Sequence, residues 1–336
     1  MKISLIIPMY NESSIIHEAL DTFSSYMAET FEDWELIFVD DGSADGIRDI
    51  LTAYTDRYPN IRAVYKENGG VTSARLRGVE EARGDWIAFM DGDDAADPRM
   101  YGRLLENALN HDADISHCGH QLVFPDGRVE YVHKSENLFT QDHNTGLQDL
   151  LDNRKVSLSL CTKLYRRELF DGLDAWMDRT VRINEDLLMN FYLFRQVRTA
   201  VFEDICPYHY VLRKGSASTS RLNAHKLQDP LKVLYLLLDE TADVPEWKQI
   251  VERRLIYQLV GSATISIGQQ RELILPCRKA ARRELRKQIW GVMVGTACPV
   301  KLKVMALWAA VWPASYSWVH NMYAKISGID KKFEVR

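Results

Sequence analysis

The chain has 336 residues, 46% of them hydrophobic and 26% charged, a composition that excludes disordered, collagen-like and multi-span membrane proteins. This length accommodates one large α/β domain and an additional region. The net charge of −5 combines an acidic part, residues 1–250 with −15, and a basic part, residues 251–336 with +10, so the two parts face different partners.

Short β-branched runs alternate with helical patterns in the first part of the chain. The predicted strands cover residues 3–8, 34–39, 61–65 and 86–90, and the predicted helices cover residues 13–27, 44–58 and 71–82. This alternation is typical of βαβ units, so we predict an α/β fold with a mostly parallel sheet flanked by helices. Ligands in such sheets bind at the carboxyl ends of the strands, where the polar motifs of this sequence fall.

The pattern changes after residue 115. Residues 114–124 and 128–132 flank a Pro-Asp-Gly turn and predict a β-hairpin, residues 135–145 predict a mobile polar loop, and residues 163–170 and 185–194 predict helical segments. From residue 223 onward the sequence predicts basic helices. We therefore divide the chain into a catalytic domain, residues 1–220, and a helical, Trp-rich region, residues 221–336.

The aromatic stretch of residues 304–318 contains Pro313 and is shorter than the roughly 20 apolar residues that span a bilayer. Lysines flank its aromatic side chains, a mixture suited to a helix lying among lipid headgroups. The alternative is a helix packed on the domain or on a second subunit in a homo-oligomer. Five scattered cysteines without a Cys-x-x-Cys pair favour a reducing, cytoplasmic location.

The acidic cluster Asp91-Gly92-Asp93-Asp94 directly follows a predicted buried strand. Crowded carboxylates repel one another unless a cation relieves the repulsion. Mg²⁺ and Mn²⁺ bind one or two carboxylates together with substrate phosphates, so the cluster suits a nucleoside diphosphate leaving group. Alone, the cluster is more typical of a solvated acidic turn. The polar motifs at three other strand ends favour the metal site.

Two further strand ends carry groups suited to a nucleotide. Asp40 can accept a hydrogen bond from a base, whereas Asp41 and Ser43 are more typical of a turn with an N-cap at Ser43. Residues 68–75 place a Gly-Gly turn at a helix N-terminus, which favours anions, and Arg75 adds positive charge for phosphate.

Two motifs lie downstream. Glu185 and Asp186 precede an amphipathic run and are either a general base or helix-capping residues. Arg213 and Ser216 belong to a basic loop, which is either a diphosphate clamp or an ordinary surface loop.

Together these segments resemble glycosyltransferase family 2, inverting enzymes with the A-type glycosyltransferase (GT-A) fold that build bacterial cell-surface polysaccharides. The resemblance covers residues 1–220, and residues 163–167 are similar to the acceptor-side segment of the family. The matching segments are residues 6–12, 39–45, 68–75, 89–94 and 184–186.

The resemblance implies a role for each matching residue. It assigns the base to Asp186 with Glu185 beside it and the divalent metal, Mn or Mg, to Asp93. The donor nucleotide is implied to contact Pro8, Tyr10, Glu12, Asp40, Arg75, Asp91, Arg213 and Ser216.

The implied reaction is a single displacement from a nucleoside diphosphate sugar, with UDP as the expected nucleotide, onto a hydroxyl of a glycan, polymer or lipid-linked acceptor. The alternatives are a sugar-phosphate nucleotidyltransferase and a non-catalytic nucleotide-sugar-binding scaffold. We expect no nucleic-acid partner and a peripheral contact with the cytoplasmic face of the inner membrane.

Overall fold

The computed structural model describes residues 3–14, 33–97, 99–132, 134–213, 221–267 and 270–327. The chain forms two compact units, Met1–Leu212 and Arg213–Arg336. Most of the predicted helix over residues 13–27 lies outside the described residues, as does Ser216.

The first unit is built on one sheet, which contains ten strands within the described residues. Its spatial order is β3-β2-β1-β4-β9-β6-β10-β5, with β7 paired to β6 and β8 paired to β10. The strands are β1 (Ile3–Met9), β2 (Trp34–Asp40), β3 (Ile61–Tyr65), β4 (Trp86–Phe89), β5 (Ala95–Ala96), β6 (Ile115–Val123), β7 (Val129–Tyr131), β8 (Leu138–Asp142), β9 (Lys163–Arg166) and β10 (Thr199–Val211).

The predicted parallel pairing is confirmed for the first four strands, because β1 pairs in parallel with both β2 and β4, and β2 pairs in parallel with β3. Every residue of β1 and β2 is buried, as expected for strands covered on both faces. The other half of the sheet is mixed. Because β9 runs antiparallel to both β4 and β6, strand β6 runs in the same direction as β1 to β4, and β10 pairs in parallel with β6. The carboxyl ends of β6 and β10 therefore lie at the same edge of the sheet as those of the first four strands.

Two local predictions are wrong. The expected mobile loop over residues 135–145 contains β8, which pairs with β10, and the start of a helix whose N-cap Asp142 accepts a hydrogen bond from the Thr145 amide. The expected helix over residues 163–170 is β9 followed by the 3-10 turn Arg167–Phe170. The predicted hairpin of β6 and β7 and the helix over residues 185–194 are confirmed.

The described helices of the first unit flank the sheet or follow its strand ends. They are α1 (Ile47–Arg57), α2 (Val71–Glu81), α3 (Met100–Asn110), α4 (His143–Asp152) and α5 (Glu185–Phe194). Residues 187–194 of α5 are all buried, so its apolar body anchors the acidic residues at its first turn.

The second unit is helical, as the sequence predicts. Its described helices are α6 (Ala224–Glu240), α7 (Pro245–Thr264), α8 (Arg271–Val294), α9 (Val300–Val311) and α10 (Pro313–Ser327). Leu255, Leu285 and Leu302 lie in its core. Among the helices described, each is too short or too polar to cross a lipid bilayer.

Candidate active site

The loops after β1 and β2 are joined by hydrogen bonds. The Asn11 amide donates to Ser43 Oγ at 2.9 Å, and Asn11 Oδ1 accepts from the Ala44 amide at 2.9 Å. Asn11 adopts a left-handed backbone conformation, with φ of 56°, that turns the chain at this point. The turn leaves Tyr10 exposed beyond the end of β1, while Pro8 is buried within the strand.

Asp40 lies fully buried at the end of β2. Its carboxylate accepts from the Ser43 amide at 2.9 Å and from Arg48 Nε at 3.2 Å. The Arg48 guanidinium in turn lies 4.8 Å from the centre of the Tyr65 ring. Arg48 and Tyr65 line an open cleft of about 460 Å³ above the ends of β2 and β3, so Asp40 lies beneath a surface on which a flat ring can rest.

The predicted N-cap at Ser43 is wrong. Helix α1 begins at Ile47, its N-cap position is Gly46 with φ of 82°, and the Ile47 amide donates to Asp45 Oδ1 at 3.3 Å. The Ser43 hydroxyl instead accepts the hydrogen bond from Asn11.

Asp41 organises the turn before α2. Its carboxylate accepts from the Gly69 amide at 2.9 Å, from the Gly70 amide at 2.6 Å and from Lys66 Nζ at 2.6 Å. Two of the N–H groups expected to bind an anion therefore face a carboxylate of the chain itself. The sequence suggests only a turn at Asp41, because its partners lie 25 to 29 residues away.

Arg75 is the centre of the acidic site. Its guanidinium is buried and donates to Asp186 Oδ1 at 2.5 Å, to Glu185 Oε1 at 3.3 Å and to Asp91 Oδ1 at 2.9 Å. These carboxylates raise the pKa of Arg75 well above its usual range, against the opposing effect of burial. Arg75 thus joins the first turn of α5 to the acidic turn after β4. The positive charge that the sequence assigned to phosphate faces three carboxylates.

Glu185 and Asp186 differ in their access to solvent. Burial, and then the negative charge of Asp186, raise the pKa of Glu185, while Arg75 opposes this effect. The Asp186 side chain is 23% exposed, compared with 13% for Glu185. Asp186 is therefore the better placed of the two to meet an incoming ligand.

Asp94 has a structural role that the sequence left unassigned. Its carboxyl group accepts from the Tyr208 hydroxyl at 2.6 Å and from the Val211 amide at 2.9 Å, and so fastens the acidic turn to β10. Burial, together with the charge of Asp91, raises the pKa of Asp94 to about 8.

Two glycines leave room for charged side chains. A Cβ on Gly92 would lie 2.3 Å from Glu12 Oε2, so Glu12 reaches the acidic turn. A Cβ on Gly70 would overlap the Arg182 guanidinium, which lies against the turn before α2. Arg182 was missed by sequence reasoning, because a lone arginine three residues before Glu185 carries no recognisable pattern.

The acidic turn fits a metal only together with a ligand. Among the described residues, no group of three or more His, Cys, Asp or Glu side chains is arranged to hold a metal ion. Asp91 contacts Arg75, and Asp94 contacts Tyr208. A cation here would combine Asp93 with oxygens of a bound diphosphate, the mode that Mg²⁺ commonly adopts.

Most of the predicted site residues therefore meet at one edge of the sheet: Pro8, Tyr10, Glu12, Asp40, Arg75, Asp91, Asp93, Glu185 and Asp186. Arg213 follows β10, and Ser216 lies outside the described residues, so the closing loop stays a prediction. A half-parallel sheet with carboxylates at its strand ends defines an α/β protein of the kind whose ligands bind beyond those ends.

Comparison with known proteins identifies the family. The sequence model described as "Glycosyl transferase family 2" matches residues 4–173. The chain belongs to this family. It is 34% identical over 211 residues to EpsJ of Bacillus subtilis, an uncharacterized glycosyltransferase, and 36% identical over 229 residues to YibD of Escherichia coli, also uncharacterized. These matches cover 62% and 67% of this chain, but only 60% and 65% of the respective relatives.

A third relative and two solved structures extend the comparison. TuaG of B. subtilis, named for teichuronic acid biosynthesis, is 31% identical over 67% of this chain and 84% of its own length. S. aureus TarS 1-349 in complex with UDP-GlcNAc matches 97% of this chain and 92% of its own with a TM-score of 0.69 and 21% identity. A Pyrobaculum calidifontis mannosyltransferase in complex with GDP-Man and Mn²⁺ gives a TM-score of 0.55 at 14% identity, covering 96% of this chain and 87% of its own. The GT-A fold expected from the sequence is confirmed.

Proposed function

We propose that this protein is an inverting glycosyltransferase that moves a sugar from a nucleoside diphosphate sugar, with UDP as the nucleotide, to a hydroxyl group. The observation that carries the proposal is the buried Arg75, which brings Asp91 and the Glu185-Asp186 pair together at the strand ends. A site that couples a donor pocket to a fixed carboxylate is what a single displacement requires.

Asp186 is the base in this proposal. Its 2.5 Å hydrogen bond to Arg75 fixes the carboxylate, and its partial exposure lets it accept the proton of an acceptor hydroxyl. The acceptor oxygen then attacks the anomeric carbon as the nucleoside diphosphate departs, so the configuration inverts and no enzyme nucleophile forms a bond. General base catalysis contributes about 10²- to 10⁴-fold to such a reaction.

The donor occupies the other strand ends in this proposal. Tyr10, Glu12 and the surface above Asp40 receive the nucleoside, and Asp91 receives the ribose or the donor sugar. Asp93 would hold a divalent metal, Mn or Mg, and this metal would neutralise negative charge on the departing diphosphate. The Mn²⁺ complex of the Pyrobaculum calidifontis mannosyltransferase supports this assignment, since that protein shares the fold.

The test is a panel of nucleoside diphosphate sugars with Mn²⁺ or Mg²⁺, scored by release of the nucleoside diphosphate. We expect release from at least one UDP-sugar and a loss of about 10²-fold or more in Asp186→Asn, with donor affinity retained. Asp174→Asn is the matched control, because it removes a surface carboxylate that pairs with Arg179. Full turnover by Asp186→Asn would overturn the base assignment. Release of pyrophosphate from a sugar phosphate and NTP would instead identify a nucleotidyltransferase, and donor binding without turnover would identify a scaffold.

We place the acceptor in bacterial cell-surface polysaccharide synthesis. TuaG and the minor teichoic acid biosynthesis protein GgaB of B. subtilis support this class, the latter being 29% identical over 66% of this chain and 24% of its own length. The acceptor would be a growing glycan, a wall polymer or a lipid-linked intermediate.

The second unit offers a surface for the membrane contact that we propose at the cytoplasmic face. Val300, Val304, Leu307 and Val311 recur on one face of α9 and are 40% to 76% exposed. No Asp or Glu occurs between Glu284 and Asp330, while lysines and arginines do. An apolar stripe in a stretch of sequence whose charged residues are all positive suits an anionic lipid surface better than a second, equally basic copy.

The contact is tested with vesicles of phosphatidylglycerol and phosphatidylethanolamine. Replacing both Val304 and Leu307 by Asp removes about 1 kcal/mol of binding free energy from apolar burial for each residue. We therefore expect binding to the vesicles to weaken by about 30-fold or more. Val129→Asp, at an exposed apolar position in the first unit, is the control and is expected to bind normally. Unchanged binding by the double variant would overturn the contact.

A further inference from the structure

A second cleft lies at the same sheet edge as the acidic site, beyond β9. Its volume is about 370 Å³, enough for a small saccharide. Strands β6 and β10 form one wall, and residues 153–159, which connect α4 to the 3-10 turn Leu160–Thr162, form the other. Its uncharged polar lining includes His120, Ser157, Ser159, Tyr208 and Tyr210.

Two hydrogen bonds attach the walls of this cleft to the acidic turn after β4 and to α5. The Tyr208 hydroxyl, in one wall, donates to Asp94 at 2.6 Å. On the other wall, the carbonyl oxygen of Leu158 accepts from Asn190 Nδ2 at 2.8 Å. Asn190 lies four residues after Asp186 and therefore on the same face of α5. Both walls of the cleft are therefore attached to the elements that carry the acidic site.

A buried lysine holds the cleft wall in shape. Lys163 Nζ donates to the carbonyl oxygens of Ser157 at 2.7 Å and Ser159 at 2.5 Å, and its side chain is inaccessible to solvent. Burial lowers the pKa of Lys163 to about 7. The ammonium group is engaged with the backbone, so charge recognition at the cleft must come from other residues.

The charges at the cleft are positive. Its lining residues include Arg154 and Lys155, both exposed, and no Asp or Glu lines it among the residues that the structure describes. Lys155 Nζ lies 4.3 Å from the centre of the Phe139 ring, a cation–π contact that restricts the position of the ammonium group. Arg154 Nε lies 2.8 Å from Asp152 Oδ2. Two adjacent cations above Ser, Tyr and His groups match a hydroxylated ligand that carries a negative charge.

We propose that this cleft binds the acceptor unit next to the reacting sugar, with an anionic group of the acceptor at Arg154 and Lys155. The anion is a phosphodiester or a uronate carboxylate, which present the same oxygen chemistry to the two cations. The inference rests on the proposed glycosyl transfer and adds the charge class of the acceptor to it.

The experiment measures binding of three short oligomers to the full chain saturated with UDP. The probes are a glycerol phosphate hexamer, a galacturonate hexamer and neutral maltohexaose. We expect at least one anionic oligomer to bind more tightly than maltohexaose, with the better of the two naming the anion. Lys155→Gln and Arg154→Gln should each weaken that binding by about 2- to 5-fold at low salt, as expected for exposed charge pairs. Lys134→Gln is the matched control, since Lys134 also lies over an aromatic ring, that of Tyr131 at 4.0 Å, but does not line the cleft.

UDP binding and donor hydrolysis, measured on the same samples, separate the two hypotheses. If UDP binds and donor turns over while Lys155→Gln binds the anionic oligomers like the wild type, the acceptor inference is wrong and the proposed function stands. Equal affinity for anionic and neutral oligomers also overturns the inference. If the wild type neither binds UDP nor hydrolyses any donor, the proposed function itself fails.

Discussion

Replacing Arg75 by methionine should destabilise the first unit strongly. The variant leaves Glu185, Asp186 and Asp91 beside one another without their shared guanidinium. Removing one partner of a buried ion pair costs about 3–5 kcal/mol. The side chains of Asp91 and Asp186 are 34% and 23% exposed, so solvent relieves part of the repulsion, and we expect a loss of about 2–3 kcal/mol. For a unit of this size, that lowers Tm by about 4–12 °C.

The loss should depend on pH. Glu185 already has a raised folded-state pKa, and losing Arg75 removes the charge that opposes this rise. In the unfolded variant, Glu185 loses its proton above the ordinary pKa of 4.5, whereas in the folded variant it keeps the proton to a higher pH. The stability of the folded variant therefore falls as pH rises above 4.5. Urea unfolding at pH 5 and pH 8 should show a larger deficit at pH 8.

Arg77→Met is the control for this prediction. Arg77 lies two residues later on α2 and pairs with Glu80 and Glu81 at the surface, where such pairs contribute about 0.5 kcal/mol or less. If Arg75→Met unfolds within about 1 kcal/mol of Arg77→Met at both pH values, the reasoning about the buried charge cluster is refuted.

Three further substitutions test the surrounding geometry. Gly92→Ala places a Cβ against the Glu12 carboxylate and should raise the KM for the donor with little change in Tm; an unchanged KM in steady-state kinetics would count against a role for Glu12. Asp41→Asn weakens the bonds to Gly69 and Gly70, and urea unfolding should show a loss of about 1–3 kcal/mol. Asp94 has a folded pKa of about 8 against an ordinary value of 3.8, so its ionisation reduces stability as pH rises between these values. In Asp94→Asn this decline should be smaller, and equal slopes of unfolding free energy against pH would contradict the pKa shift.

The sequence predicts the parallel half of the sheet because β1 and β2 are apolar along their whole length and alternate with helical patterns. It misses β8 and β9 for a physical reason. β8 is a short strand with mostly exposed residues, and β9 contains the buried Lys163, whose ammonium group donates to backbone oxygens of a neighbouring segment. Hydrophobic periodicity contains no signal for either.

The sequence likewise predicts only part of the candidate site. The rule that strand ends converge brings Asp40 and Asp91 to one edge, and the family resemblance adds the Glu185-Asp186 pair. The structure joins Asp91 to that pair through Arg75. The partners of Asp94 could not be predicted, since Tyr208 and Val211 lie 114 and 117 residues away. Local sequence distinguishes a carboxylate at a strand end from one in a loop, but it does not show which carboxylates face a ligand and which fasten the fold.

The most direct measurement of the central claim is the anomeric configuration of the transferred sugar. Using the donor that releases nucleoside diphosphate most rapidly, proton NMR of the product reports the configuration of the new glycosidic bond. A single displacement with Asp186 as the base predicts an inverted linkage, β from an α-linked UDP-sugar. A product of retained configuration would contradict the account.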